Sequence, residues 1–458
     1  MTAFRPAARL FACAIVVGLS TPAAAETSAT AGTTASSTTA TTRTSTDALD
    51  RWTSAIRTPT DPGIDLPYLA LRLPQYLVEV AFVPLMPIVT LFERYSLFDR
   101  FLDLVTNEEG TAALLPLVDP FNNAGLGAGA VFLYNEPFGS QDRFISLGQI
   151  YPNRDRIFSV SFTRRFPTLS GRRVSLSASY NVDHDTRFFG FGADRPETSQ
   201  QLLRTDAVDA AFGITLINPT RLPEYFVEVA VAYRRRKLGT GNGNLGPGLT
   251  PQSGLPLPAG FRQALDYPEL TLSTEYDSRD SFGVTSKGLF ARLRVTGTRD
   301  VNSAQTSAIR ADGVFAAFVP LLPRFRTLFV KVGASATAPL PIGDGEMVPM
   351  HMMANLGGST DLRGYVSDRF IDRLGWWATV EYRYRFFDYA DQGMGISSAL
   401  FADVGRVGPT VSDLIKSPMP WSVGLGLRLE QNLILAGRIQ FAYSPEGFRF
   451  SVGFGEVL

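Results

Sequence analysis

The sequence predicts an all-β fold, a transmembrane antiparallel β-barrel of about 16 strands with a short N-terminal helical segment. Three observations predict it. From about residue 111 to the end, apolar and polar residues alternate with period two. The connections between the alternating segments are short and long in turn. The chain also begins with a secretory leader.

The composition fits this fold and excludes several others. There are 43 basic and 43 acidic residues, for a formal net charge of zero, so no basic field is available to bind nucleic acid. The chain holds 33 Phe, 15 Tyr and 41 Gly, a set that suits strands and tight turns more than helices. Mean hydropathy is close to zero, too low for a bundle of apolar transmembrane helices. A membrane barrel averages out in this way, because half of each strand faces lipid and half faces a polar lumen.

The N-terminus reads as a signal peptide over residues 1–25. Arg5 and Arg9 form its positive region, Leu10 to Leu19 its apolar region, and Ala23, Ala24 and Ala25 the cleavage site. The apolar run is too short to span a bilayer as a helix. It lies mostly after Cys13, which argues against a lipoprotein signal. Cys13 is the single cysteine and leaves with the leader, so no disulfide or thiol chemistry is expected in the mature chain. Residues 26–47 are almost entirely Ser, Thr, Ala and Gly, a composition that cannot bury a core and predicts a disordered linker.

Residues 48–110 differ. They are rich in Leu, Phe, Val and Tyr and are broken by Pro67, Pro74, Pro84 and Pro87. Leu91 to Leu102 has the 3.6-residue period of an amphipathic helix, with Glu93, Arg94, Asp99 and Arg100 off the apolar face. Tyr76 to Val83 offers a second, shorter piece. The expectation is a periplasmic helical segment, either packed as a plug or lying in the membrane interface.

Residues 111–458 are the predicted barrel. In 376–386, Trp376, Ala378, Val380, Tyr382, Tyr384 and Phe386 share one face, and Trp377, Thr379, Glu381, Arg383 and Arg385 share the other. In 421–430, Trp421, Val423, Leu425, Leu427 and Leu429 alternate with Ser422, Gly424, Gly426, Arg428 and Glu430. Residues 156–164, 172–182, 224–236, 288–296 and 448–454 repeat the pattern. A dry sandwich core would not accept Arg383 and Arg385, whereas a wet lumen would. Short links at 135–142, 166–172, 218–224, 319–325 and 430–433 alternate with long ones at 183–205, 237–265, 339–374 and 406–420. Short periplasmic turns and long outer loops predict a closed barrel in the bacterial outer membrane, with its N-terminus periplasmic.

Several motifs fall in order along this region. Leu356-Gly357-Gly358-Ser359-Thr360-Asp361-Leu362-Arg363-Gly364-Tyr365 sits in a long loop. Asp277-Ser278-Arg279-Asp280 with Thr285-Ser286-Lys287-Gly288 follows the eighth strand. Phe188-Phe189-Gly190-Phe191-Gly192, Phe401-Ala402-Asp403-Val404-Gly405 and Trp421 to Arg428 complete the set. Together they resemble the BamA/TamA outer-membrane superfamily, also called the bacterial surface antigen family, over most of residues 111–458. The Leu-Arg-Gly-Tyr run at 362–365 is similar to that family's conserved loop motif. The resemblance implies that Arg363 folds into the lumen and pairs with acidic residues on the twelfth and thirteenth strands. By parity these are Glu381 and Asp403, both inward. Gly357, Gly358 and Gly364 let the loop turn at the arginine, beside Leu362 and Tyr365. At the C-terminus, Phe448, Phe450, Val452 and Phe454 alternate like the signal read by the barrel-assembly machinery, although the last residue is Leu458.

Residues 26–110 hold no βααββ pattern, so the chain resembles a member of the family without POTRA modules. The resemblance implies assistance to the insertion or translocation of protein or lipid at the outer membrane. Its partners would be outer-membrane lipid, unfolded outer-membrane protein or lipid clients, and the assembly machinery for its own insertion. The alternative is a passive structural barrel or small pore. No enzyme is expected, since no G-x-S-x-G elbow appears, and no cofactor is expected. His184 and His351 lie far apart, in predicted outer loops, and point to no metal site. Gly241 to Gly246 matches G-x-G-x-x-G formally, but it opens a Pro/Gly-rich loop rather than a helix.

Overall fold

The backbone N–H and C=O groups of a strand need a partner strand alongside, and this chain supplies it by simple meander. The computed structural model describes residues 104–453, apart from short stretches such as 120–126, 167–171, 341–346 and 390–393. The predicted leader, the predicted linker, most of the predicted helical segment and Phe454 lie outside the described residues.

Sixteen strands form one antiparallel sheet in sequence order. They are β1 (Ala112–Asp119), β2 (Gly127–Asn135), β3 (Asp142–Ile150), β4 (Arg156–Phe166), β5 (Arg172–Phe188), β6 (Gln201–Ile217), β7 (Glu224–Thr240), β8 (Ala264–Asp277), β9 (Gly288–Arg299), β10 (Ser307–Leu321) and β11 (Arg326–Pro339), then β14 (Leu374–Tyr389), β15 (Met394–Gly408), β16 (Trp421–Gln431), β17 (Ile434–Ser444) and β18 (Gly447–Gly453). Two short strands, β12 (Ala354–Leu356) and β13 (Phe370–Asp372), form a separate hairpin inside the β11–β14 connection. The all-β class and the count of sixteen match the sequence expectation. Closure differs from it: among the described residues, β1 and β18 share no pairing, and the sheet has two ends.

The two faces of the sheet have opposite chemistry. One carries exposed apolar side chains, among them Phe158, Val160, Phe212, Val229, Val231, Leu270, Leu272, Phe441 and Phe450. That is the surface a bilayer would cover. The other face carries Asp209, Arg234, Glu269, Lys331, Glu381, Arg383, Asp403 and Arg428. Polar side chains there meet one another and the loops that fold over them. Strand parity therefore separates lipid from lumen.

The connections predicted as short and long keep that order, but the β8–β9 turn (278–287) is longer than the β9–β10 connection (300–306), the β17–β18 connection is only 445–446, and several strands outrun the pattern. β5, β6 and β7 each span 17 residues, about 55 Å of extended chain, against a hydrocarbon core of about 30 Å. The predicted long links at 183–205 and 237–265 thus shrink to 189–200 and 241–263. His184, expected in a loop, lies in β5, where its Nδ1 is 2.7 Å from Asp155 Oδ1.

Candidate functional site: the lumenal loop

The β11–β14 connection leaves the wall at Pro339 and returns at Leu374. The β12–β13 hairpin, in register from Ala354 opposite Asp372 to Leu356 opposite Phe370, stiffens its base. Gly357 and Gly358 then adopt φ of +114° and +98°, the left-handed region. A side chain on Gly357 would collide with the Val366 carbonyl, so glycine is required by both φ and space. The Gly358 N–H donates to the Tyr365 carbonyl at 3.1 Å and closes the tip. Leu362, fully buried, packs with Leu356, Tyr365, Phe370 and Val407. This apolar knot presses the tip onto the lumenal wall and leaves Arg363 facing β14 and β15.

Arg363 makes a two-pronged contact with Asp403: Nε donates to Oδ2 at 3.0 Å and Nη2 to Oδ1 at 2.6 Å. Its backbone N–H also donates to Asp403 Oδ2 at 3.2 Å. Nη1 donates to Glu381 Oε1. The guanidinium carbon sits 3.4 Å from the centre of the Phe401 ring, so the cation is also stacked. Asp403 accepts further bonds from Thr379 Oγ1 at 3.0 Å and Ser422 Oγ at 2.8 Å. Glu381 accepts from Arg383 Nε at 2.8 Å. All four charged groups are buried. Burial alone would lower the Arg363 pKa, but the two carboxylates outweigh it and hold the guanidinium more basic than usual. A buried ion network adds little net stability over apolar packing. It fixes one position for the loop, because removing one member strands the others.

Residues on both sides of the arginine complete the seat. Gly364 lies against the wall, where a Cβ would come within 2.7 Å of the Ser422 and Ser444 Cβ atoms, and Ser444 Oγ donates to its carbonyl at 2.8 Å. Lys331 on β11 donates to the Thr360 carbonyl at 2.9 Å and lies 3.9 Å from Asp361. Burial pushes the Asp361 carboxyl up, with Lys331 opposing.

The motif at 188–192 meets the same loop. Gly190 and Gly192 take φ of +92° and +99°, and the Gly192 N–H donates to the Ile371 carbonyl at 2.9 Å. Arg369 stacks on Phe189 and Phe370 and pairs with Glu446 at 2.7 Å. Arg406 at the end of β15 reaches Asp194, also at 2.7 Å. At the opposite end of the sheet, in the β8–β9 turn, Arg279 pairs with Asp277 at 2.7 Å and Asp280 accepts from the Ser286 N–H at 2.9 Å. Phe448, Phe450 and Val452 fall on the lipid-side face of β18, with Phe448 against Tyr443 and Phe450 against Phe441 at 4.8 and 5.1 Å between ring centres.

The sequence marks Thr379 and Ser422 only as inward positions of the alternation, and it marks Lys331, Ser444, Arg369 and Arg406 not at all. Register places Lys331 beside Thr379 and Ser422 beside Asp403, a signal that becomes readable only once the strands are paired. The two histidines also have separate partners. His351 Nε2 is 3.0 Å from Glu269 Oε1, and no group of metal-ligating side chains occurs among the described residues.

No curated protein sequence matches this chain. Among solved structures, it is similar to BamA from Haemophilus ducreyi lacking POTRA domains 1–3, at 14% identity and a TM-score of 0.49, covering 75% of this chain and 70% of that one. It is also similar to CdiB from Acinetobacter baumannii, at 12% identity and a TM-score of 0.45, and spans 57% of that chain with 72% of its own. For CdiB from Escherichia coli the values are 12%, 0.45, 61% and 74%. The model of the Omp85 superfamily domain matches residues 141–456. The chain is an outer-membrane β-barrel that belongs to the Omp85 superfamily.

Proposed function

We propose that this barrel assists the insertion or translocation of protein or lipid at the outer membrane by opening between its first and last strands. The observation that carries the reading is the pair of sheet ends: β1 and β18 each offer an edge to which, among the described residues, no barrel strand is added. An open edge templates an incoming strand, because its N–H and C=O groups await partners. Gly453 in β18 keeps that edge weak, since glycine lowers strand stability. The loop anchored by Arg363 would hold the wall next to the last strand, β14 to β17, rigid while the ends part. In this reading the short connections and the N-terminus are periplasmic and the long loops are external, the protein catalyses no covalent step, and its partners are outer-membrane lipid and unfolded clients.

Deletion of the protein, followed by outer-membrane proteomics and an assay of lipid asymmetry, tests this. Loss of particular barrel proteins or of asymmetry, reproduced by a variant with β1 cross-linked to β18, is the expected result. An unchanged membrane would leave a passive barrel.

A further inference from the structure

On β7, β9 and β10, lumenal arginines lie close to carboxylates. Arg234 meets Glu269 at 2.6 Å, Arg292 meets Glu275 at 2.9 Å and Arg310 meets Asp312 at 2.7 Å. The wall from β14 to β17 is charged differently near the short-turn end. Its inward positions there carry Arg383 and Arg385 on β14, Arg428 and Glu430 on β16, and Arg438 on β17. Register sets Arg385 beside Ser397, Ser397 beside Arg428, and Arg428 directly across from Arg438, so one row across four strands holds three arginines. Like charges opposed in this way are destabilising. Arg383, Arg428 and Arg438 are buried as well, so water screens them poorly.

The carboxylates nearby fall short of the cations. Glu381 accepts from both Arg363 and Arg383. Asp403 is bound by Arg363, and Glu430 Oε2 lies 3.2 Å from Arg385 Nε. Arg363, Arg383, Arg385, Arg428 and Arg438 thus face Glu381, Asp403 and Glu430, an excess of two positive charges among these described side chains. The neighbouring strands make room for the arginines. A Cβ on Gly395 would strike the Arg385 guanidinium, and one on Gly453 would come within 2.9 Å of Arg438 Nε.

A cavity of about 280 Å³ lies over Arg383, Arg385 and Arg428, between this wall and the β8–β9 turn. Asp280 is the acid that the turn brings to it. It accepts from the Ser286 N–H at 2.9 Å and from the Ser286 hydroxyl, which holds the turn together. The cations still outnumber the acids once Asp280 is counted. A buried excess of charge is costly until a counter-charge joins it. Guanidinium groups bind phosphate oxygens through paired, parallel bonds, and a tetrahedral anion offers oxygens to several of them at once. A phosphate monoester carries about −1.5 to −2 charge at neutral pH, which matches the excess on the wall.

We propose that this cavity is an anion site that takes a phosphate group, held by Arg383, Arg385 and Arg428, with Arg438 adding to the field that draws it in. The phosphate belongs to a free solute or to a lipid headgroup entering at the short-turn mouth, and the chemistry of recognition is the same for both. The site stands whether or not the barrel inserts clients.

The test uses the purified full chain in an uncharged detergent. A ligand that binds only the folded barrel raises the temperature at which heat-modifiable mobility is lost. In one arm sodium phosphate replaces sodium chloride at equal ionic strength. In the other, phosphatidic acid is compared with diacylglycerol in mixed micelles. A rise in at least one arm is expected. Arg428→Gln and Arg385→Gln should each need about tenfold more ligand for the same rise, the loss of one charged contact. Arg234→Gln, on the far wall, should need no more than the unaltered protein. A rise with phosphatidic acid alone assigns the site to a lipid headgroup, a rise with phosphate alone to a free solute, and a rise in both to the phosphate group itself. No rise in either arm overturns the proposal, as does a rise that both cavity variants keep in full or that Arg234→Gln weakens equally. Should Arg428→Gln fail to fold, Arg385→Gln carries the same reading.

Discussion

Arg363 and Asp403, 40 residues apart in sequence, meet through both guanidinium prongs and the Arg363 backbone N–H. One carboxylate thus reads both the side chain and the main chain of the loop tip. The contact is sensitive to the loop's position as well as to its charge.

Arg363→Ala should loosen the loop without unfolding the barrel. Each charge-assisted bond contributes about 1.5–3 kcal/mol. The expected outcome is a lower temperature of heat-modifiability and faster protease cleavage near Tyr365. Asp403→Asn should resemble it, and the double variant should add little, because both changes break one network. Full additivity would show that the two residues act separately.

Gly364→Val should reproduce the Arg363→Ala phenotype with every charge intact, since the added carbons meet Ser422 and Ser444. Gly297→Ala on β9 serves as the control, because nothing lies within 4 Å of a Cβ there. Limited proteolysis of the two variants side by side separates seating from charge. Equal cleavage would count against the tight fit at Gly364.

Residues 111–458 should behave as a membrane barrel. The purified protein in detergent should give a β-rich circular dichroism spectrum and migrate differently with and without boiling. A soluble, helix-dominated protein would contradict the fold.

Burial lowers the His351 pKa from its ordinary value near 6.5, with Glu269 opposing. The folded state therefore favours neutral imidazole. Between the ordinary value and the depressed one, the unfolded loop binds more protons than the folded loop, so this contribution is lost as pH falls through about 6.5. Asp361 and Asp368, whose carboxyls burial pushes up, carry the opposite sign in the acid range. Protease access to 347–356 should rise between pH 7.5 and pH 5.5, and His351→Gln should flatten the rise. An unchanged slope in that variant would remove His351 from the account.

Much of this is legible in the sequence. Period two gives strand parity, and parity alone puts Glu381 and Asp403 on one face, where the guanidinium meets both. Other features were not legible, for physical reasons. The run Ala112–Asp119 is apolar on both faces, so alternation cannot tell its lumenal side from its lipid side. β5 to β7 continue past the membrane because strand pairing, not hydropathy, ends them. Lys331 and Ser422 join the site only through register, which depends on all the preceding turns.

At the long-loop end, Gly192 is joined to Ile371, Arg369 to Phe189 and Glu446, and Arg406 to Asp194. Three connections from distant parts of the sheet are thereby stitched into one lid. A knot tied from three ropes does not slip one rope at a time: a change at any of these contacts is felt by all three loops.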